Sequence, residues 1–152
     1  MNTQTIQKFN IIGVMVRTTN ENKQAEKDIP ALWGKFMGQN IFQKIPNKTD
    51  DTLYCIYADY EKDHTKAYTV IIGCKVSSLD DIPDGMAGKT IETGNYAKYT
   101  VKGNTMQGVV QEEWARIENS DLARAYVADF DVYREGQDPE NAEVDIFVSV
   151  KA

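Results

Sequence analysis

Residues 52–76, TLYCIYADYEKDHTKAYTVIIGCKV, hold two apolar runs around one polar turn. TLYCIYADY (52–60) and KAYTVIIGCKV (66–76) are rich in β-branched and aromatic residues, with EKDHT between them. Such a pair predicts an antiparallel hairpin. What stands before it decides the fold. FNIIGVMVRT (9–18) reads as a further strand, and within 19–40 Ile29, Leu32, Trp33, Phe36 and Met37 recur at helical spacing. Pro30 suits a helix start or restart, and Gly38 and Asn40 supply stop signals. QKIPNKTDD (43–51) reads as loop. The order is therefore strand, helix, strand, strand.

After a second loop, SSLDDIPDGMAG, the same order returns. GKTIETGNYAKYTVKG (88–103) has strand character interrupted at Gly94. NTMQGVVQEEWARIENS (104–120) reads as helix, with Met106, Val109, Val110, Trp114 and Ile117 on one face. ARAYVADFDVYRE (123–135) and EVDIFVSVKA (143–152) read as strands around the turn GQDPENA. Local echoes accompany the repeated order: LWGKF with EWARI, YADYE with VADFD, and YTVIIGCKV with VDIFVSVKA, the last setting Lys75 against Lys151. The expectation is one α+β domain over 1–152, built from duplicated β-α-β-β units at about 9–78 and 88–152. Their strands would join into one mostly antiparallel sheet, with two main helices across one face. A pseudo-two-fold axis would then run between the halves, and a ligand cleft is natural there.

A chain of 152 residues has room for a real core, and its eight Tyr, five Phe and two Trp could furnish a pocket as well as a core. The net charge of −6 argues against direct nucleic-acid binding and against anionic membranes. Cys55 and Cys74 each lie in an apolar strand-like run and read as buried thiols, though paired strands would permit a disulfide. With His64 the sole histidine, set in a polar turn, neither a structural zinc nor a His-ligated haem is expected, and no cofactor is. The N-terminus lacks a signal pattern and no apolar run approaches the ~20 residues of a membrane span, so a soluble cytoplasmic protein is expected. Gly-x-Ser-x-Gly, P-loop and Gly-x-Gly-x-x-Gly motifs are absent, and DDIPDG (80–85) lacks calcium-loop spacing and reads as a turn.

Within VADFDVYRE (127–135), alternation sends Ala128, Phe130 and Val132 one way and Asp129, Asp131 and Tyr133 the other. That polar row is either a solvated strand face or part of a site. A carboxylate beside aromatic faces attracts a cation, at roughly 0.5–2 kcal/mol per ring. The same carboxylate, desolvated, would hold its proton to higher pH and could act as general acid or base. By the YADYE–VADFD echo, Glu61 holds the place of Asp131 in the first half. Trp33 and Trp114 occupy matching places on the two helices, as core residues or as walls of a pocket. Tyr57 and Tyr68, on adjoining strands, are further candidates, because a buried phenol needs a partner for its hydroxyl.

LYCIYADYEKDHTKAYTVIIGCKVSSLDDIPDG, ADFDVY and AEVDIFVSVK together resemble the GyrI-like, or AraC-type effector-binding, domain family, above all its stand-alone, integron-associated members. The likeness runs from about Phe9 to Lys151. It implies a pocket between duplicated halves for hydrophobic, often cationic, small molecules, as in multidrug-responsive transcription regulators. The chain has no room for a helix-turn-helix module besides the sheet, so a regulatory role would run through a separate regulator protein. Monomer and homodimer both stay open. The family's acidic pocket residue lies in Phe-Glu-x-Tyr; here the motif reads Phe130-Asp131-Val132-Tyr133, one methylene shorter. Some members hydrolyse strained cyclopropane-containing compounds with an acid and a tyrosine, which by resemblance would make Asp131 with Tyr133 or Tyr57 catalytic. The shorter acid suits cation binding better than proton transfer.

Overall fold

The computed structural model describes residues 3–151; Met1, Asn2 and Ala152 lie outside the described residues, as does the side chain of Met106, counted above on an apolar helix face. The strands are β1 Thr3–Ile6, β2 Phe9–Thr19, β3 Leu53–Ala58, β4 Ala67–Val76, β5 Ala87–Ile91, β6 Gly94–Gly103, β7 Ala128–Tyr133 and β8 Ala142–Ser149. The helices are α1 Ala25–Gly38, α2 Ile41–Lys44 and α3 Val109–Glu118. All eight strands form one antiparallel sheet in the order β1-β6-β8-β7-β3-β4-β2-β5. Outward from the centre, β3-β4-β2 on one side repeats as β7-β8-β6 on the other. This is the duplicated β-α-β-β arrangement, with α1 and α3 as the helix of each half.

The ladder registers also decide which residues correspond. Tyr57 pairs with Val70, and Asp131 pairs with Ile146. Setting 68–76 against 144–152 matches Val70 to Ile146, so Tyr57 is the counterpart of Asp131. The same match makes Cys55 the counterpart of Asp129 and places the axis at the Ile56–Phe130 pair, which stands opposite across β3 and β7. Matching Glu61 to Asp131 is therefore corrected: a short echo at a strand end carries less constraint than a continuous ladder.

Both faces of the sheet are covered, which is why VIIGCKV in β4 runs apolar without alternation and is almost wholly buried. On the helix face, Leu32 and Phe36 of α1 pack against Ile12, Val14, Val70 and Ile72, while Val110 and Ile117 of α3 pack with Val101, Val144, Ile146 and Val148. The other face closes on itself. Phe9 on β2 and Phe130 on β7 would stand about 14 Å apart in a flat sheet, yet their ring centroids are 5.4 Å apart. Gly13 and Gly73 face each other across β2 and β4, where a Cβ on Gly73 would sit 2.1 Å from the Ile12 carbonyl oxygen.

Several boundaries differ from the sequence expectation. The strand expected from 123 begins at Ala128, because Tyr126 takes a left-handed φ of 54° and Arg124 makes only an isolated bridge to Val150. The helix expected from 104 begins at Val109, after Gly108 at φ 85° and a short turn at 105–107. Gln43 and Lys44, expected in a loop, finish α2. The interruption at Gly94 separates β5 from β6, and β1, for which no element is expected, pairs at the edge of β6. Cys55 and Cys74 are buried free thiols. Among the described residues no helix is long and apolar enough to cross a membrane.

Candidate functional site

α1 packs over β2 and β4 while α3 packs over β6, which leaves the central pair β3 and β7 under an open cleft. Its volume of about 1870 Å³ exceeds the usual few hundred to a thousand for small-molecule sites. Ile29, Trp33 and Phe36 line it from α1, Val110 and Trp114 from α3, and Tyr57, Tyr68 and Tyr133 from the strands. The rings meet edge to face: Trp114 and Tyr57 at 5.3 Å, Trp33 and Tyr133 at 5.2 Å between centroids. Each tryptophan thus closes against a tyrosine of the sheet, so both helices contribute one aromatic wall.

Asp131 lies directly beneath this wall and is wholly inaccessible. The Tyr57 hydroxyl donates to its Oδ2 at 2.7 Å, and Trp114 Nε1 donates to its Oδ1 at 2.8 Å. Burial pushes the carboxyl up to about 7; the two hydrogen bonds pull the other way and the charge of Asp129 adds to the rise. Tyr57, Cys55 and Tyr133 are all pushed well above their ordinary values, first by burial and then by the charge of Asp131. They keep their protons at neutral pH. The group is a buried carboxylate whose two oxygens are each held by the polar edge of an aromatic ring that faces the cleft.

Asp129, on the same side of β7, is also inaccessible and is fully engaged. It accepts from Ser149 N at 2.7 Å, Ser149 Oγ at 3.0 Å, Arg124 Nη2 at 2.9 Å and the Tyr60 hydroxyl. Arg124 is buried with it, stacked 4.4 Å from the Tyr126 ring and 5.5 Å from that of Trp114. Among the described residues its Nε and Nη1 have no hydrogen-bond acceptor, so the two ring faces supply its remaining compensation. His64, in the polar turn after β3, is half-buried: its Nδ1 lies 3.1 Å from the Tyr126 hydroxyl and it lines the cleft.

Of the residues singled out from the sequence, Trp33, Trp114, Tyr57, Tyr68 and Tyr133 line one cleft. Tyr68 donates to Asn20 Oδ1 at 2.6 Å. Asp131 is adjacent but sealed off by Tyr57 and Trp114. Glu61 stands apart: it is exposed past the end of β3, and its backbone N–H closes the hairpin onto the Ala67 carbonyl at 2.8 Å. Tyr60, Arg124, Tyr126 and His64 are the participants that sequence reasoning missed. Tyr60 carries a readable signal, an aromatic at the strand end, whereas Arg124 gains its role only through the non-strand path of 123–127.

The model of one protein family, Cass2, described as integron-associated effector binding protein, matches residues 4–150. The chain belongs to this family. Among solved structures, the integron cassette protein VCH_CASS2 from the mobile metagenome of Vibrio cholerae is 30% identical, with 99% of this chain and 95% of that one aligned at a TM-score of 0.79. The structure of SAV2435 bound to tetraphenylphosphonium shares the fold at a TM-score of 0.82 and 15% identity, over 99% and 93% of the two chains. YobU of Bacillus subtilis, named for transcriptional regulation, is 26% identical over 144 residues, 91% of this chain and 90% of its own. This Cass2-family chain thus belongs among the effector-binding proteins and is similar over most of its length to a protein named for transcriptional regulation.

Proposed function

We propose that the cleft binds lipophilic organic cations as its effectors. The observation that carries this reading is the seat of Asp131: a carboxylate holding the O–H of Tyr57 and the N–H of Trp114 from behind. A hydrogen bond to an anion draws electron density into the donor ring, and the negative ring face is what attracts a cation. With several rings around the ligand, at ~0.5–2 kcal/mol each plus apolar burial, micromolar affinity is within reach. The tetraphenylphosphonium bound by SAV2435, a protein of the same fold, is a ligand of this chemical kind. Hydrolysis fits less well, because a general acid or base must reach its substrate within hydrogen-bond distance and both oxygens of Asp131 are occupied.

Trp33 and Trp114 are built-in reporters. Tetraphenylphosphonium should quench their fluorescence saturably, and its anionic isostere tetraphenylborate should bind at least about tenfold more weakly, a difference of ~1.4 kcal/mol. Absence of a saturable response to the phosphonium, or equal affinity for the borate, overturns the reading.

A further inference from the structure

We infer that Glu118, at the C-terminal end of α3, is the residue by which the cleft selects positive charge. This rests on the cation reading above and assigns the direct electrostatic contact to a residue other than Asp131. Asp131 meets no ligand: Tyr57 and Trp114 stand between it and the cleft.

The carboxylates on the cleft wall can be sorted by what already neutralises them. Glu21 pairs with Lys66 at 3.6 Å. Glu143 lies 3.7 Å from Lys102 and 3.9 Å from Arg134. Asp51 and Glu135 are both exposed, and the Asp51 carboxylate, accepting the Glu135 proton and repelling its charge, pushes the Glu135 carboxyl upward. Glu26 is exposed on α1. Glu118 is different: it is half-buried, it lines the cleft, and among the described residues its side chain has no ion pair or hydrogen bond. An unpaired carboxylate in a partly desolvated wall is a standing attraction for a cation.

Its position reinforces this. Glu118 follows Trp114 by one helical turn, and residues four apart on a helix project to the same side. A cation resting on the Trp114 ring is therefore beside Glu118. The last carbonyls of α3 add the negative end of the helix dipole at the same place. The nearest buried cation, Arg124, does not cancel this charge, because Asp129 already balances it at 2.9 Å; Lys23 lies exposed at the mouth. The hydroxyls of Tyr68 and Tyr126 register the Glu118 carboxylate, which adds to the effect of burial in raising both.

The test compares tetraphenylphosphonium and tetraphenylborate on wild type, Glu118→Gln, Glu118→Asp and the control Glu113→Gln, whose carboxylate pairs with Arg116 off the cleft wall. Glu118→Gln should weaken phosphonium binding about 5–10-fold and collapse the preference over borate. Glu118→Asp should recover part of that preference and Glu113→Gln should keep all of it. Since Glu118 is not in the core, the variants should unfold at the wild-type midpoint. If wild type prefers the phosphonium and Glu118→Gln prefers it equally, this inference fails while the cation reading stands. If wild type itself shows no preference, both fall.

Discussion

Replacing Asp131 with Asn tests the buried carboxyl directly, through stability rather than through a ligand. The carboxyl rises from an ordinary 3.8 to about 7 in the fold, with burial the leading cause. Below about pH 4 it is protonated in both the folded and the unfolded chain and has no effect. Between about pH 4 and 7 the unfolded chain releases the proton freely while the folded chain retains it, so ionisation favours unfolding. Stability therefore falls as pH rises through this window and levels off above about 7. A shift of about three units corresponds to roughly 4 kcal/mol at 1.36 kcal/mol per unit. Asn keeps both contacts, accepting from Trp114 Nε1 and donating to the Tyr57 oxygen, and cannot ionise. Urea unfolding followed by circular dichroism should show the variant close to wild type at about pH 4.5 and more stable by up to about 4 kcal/mol near pH 8. Tyr57, Cys55 and Tyr133, all raised, do not titrate in this range. A flat difference curve, or wild type gaining on the variant as pH rises, would refute the claim that the fold penalises this charge. A bound cation should favour the ionised form, so phosphonium affinity of wild type should rise with pH through about 7 and that of the variant should not.

Two further outcomes are expected from the same geometry. Tyr57→Phe removes the donor to Asp131 Oδ2 and should cost about 1–3 kcal/mol near pH 8, where the oxygen left bare carries charge; an unchanged urea midpoint would show that this hydrogen bond does not hold the carboxylate. Gly73→Ala forces a Cβ to 2.1 Å from a backbone oxygen that cannot swing away and should lower stability by about 3 kcal/mol or more, whereas Gly34→Ala, exposed in α1 with nothing within 4 Å, should raise it by about 0.5–1 kcal/mol; equal melting temperatures for the two would contradict the close β2–β4 approach.

The fold was legible because its signals are local. Apolar alternation, the hairpin at 52–76 and helical spacing around Trp33 and Trp114 survive in the folded chain, and repetition of the element order discloses the symmetry of the sheet. Alternation along β7 also put Asp129, Asp131 and Tyr133 on one side, as they are. The contacts of those side chains were not legible, since they depend on packing between elements distant in sequence. Sealing of Asp131 depends on where α3 delivers Trp114, and neutralisation of Asp129 depends on Arg124 leaving the strand path at Tyr126. The close approach of β2 and β4 needs two glycines that look unremarkable until they are paired. Glu118 sat in view at four residues beyond Trp114, but a charged residue on a helix reads as solvated until a cleft is found beside it.

The two-fold arrangement explains why only one of the matched positions 57 and 131 carries an acid. An axis through the Ile56–Phe130 pair brings the positions of Tyr57 and Asp131 together, as diagonal neighbours on one face of β3 and β7. A faithful duplication would set like against like there. Two carboxylates at 2.7 Å, the separation seen between the Tyr57 hydroxyl and Asp131 Oδ2, could not both ionise and would share a proton. Two phenols would leave no anion to polarise the rings. A phenol in one half and a carboxylate in the other satisfy each other and leave one negative charge on the axis, beneath walls that stay nearly symmetric. Exchanging the pair, Tyr57→Asp with Asp131→Tyr, should then preserve the hydrogen bond while severing the link to Trp114, whose N–H reaches the carboxylate from the second half alone. Phosphonium binding by the exchanged protein should be weaker than wild type even where its stability matches, because the charge would sit behind one ring instead of two.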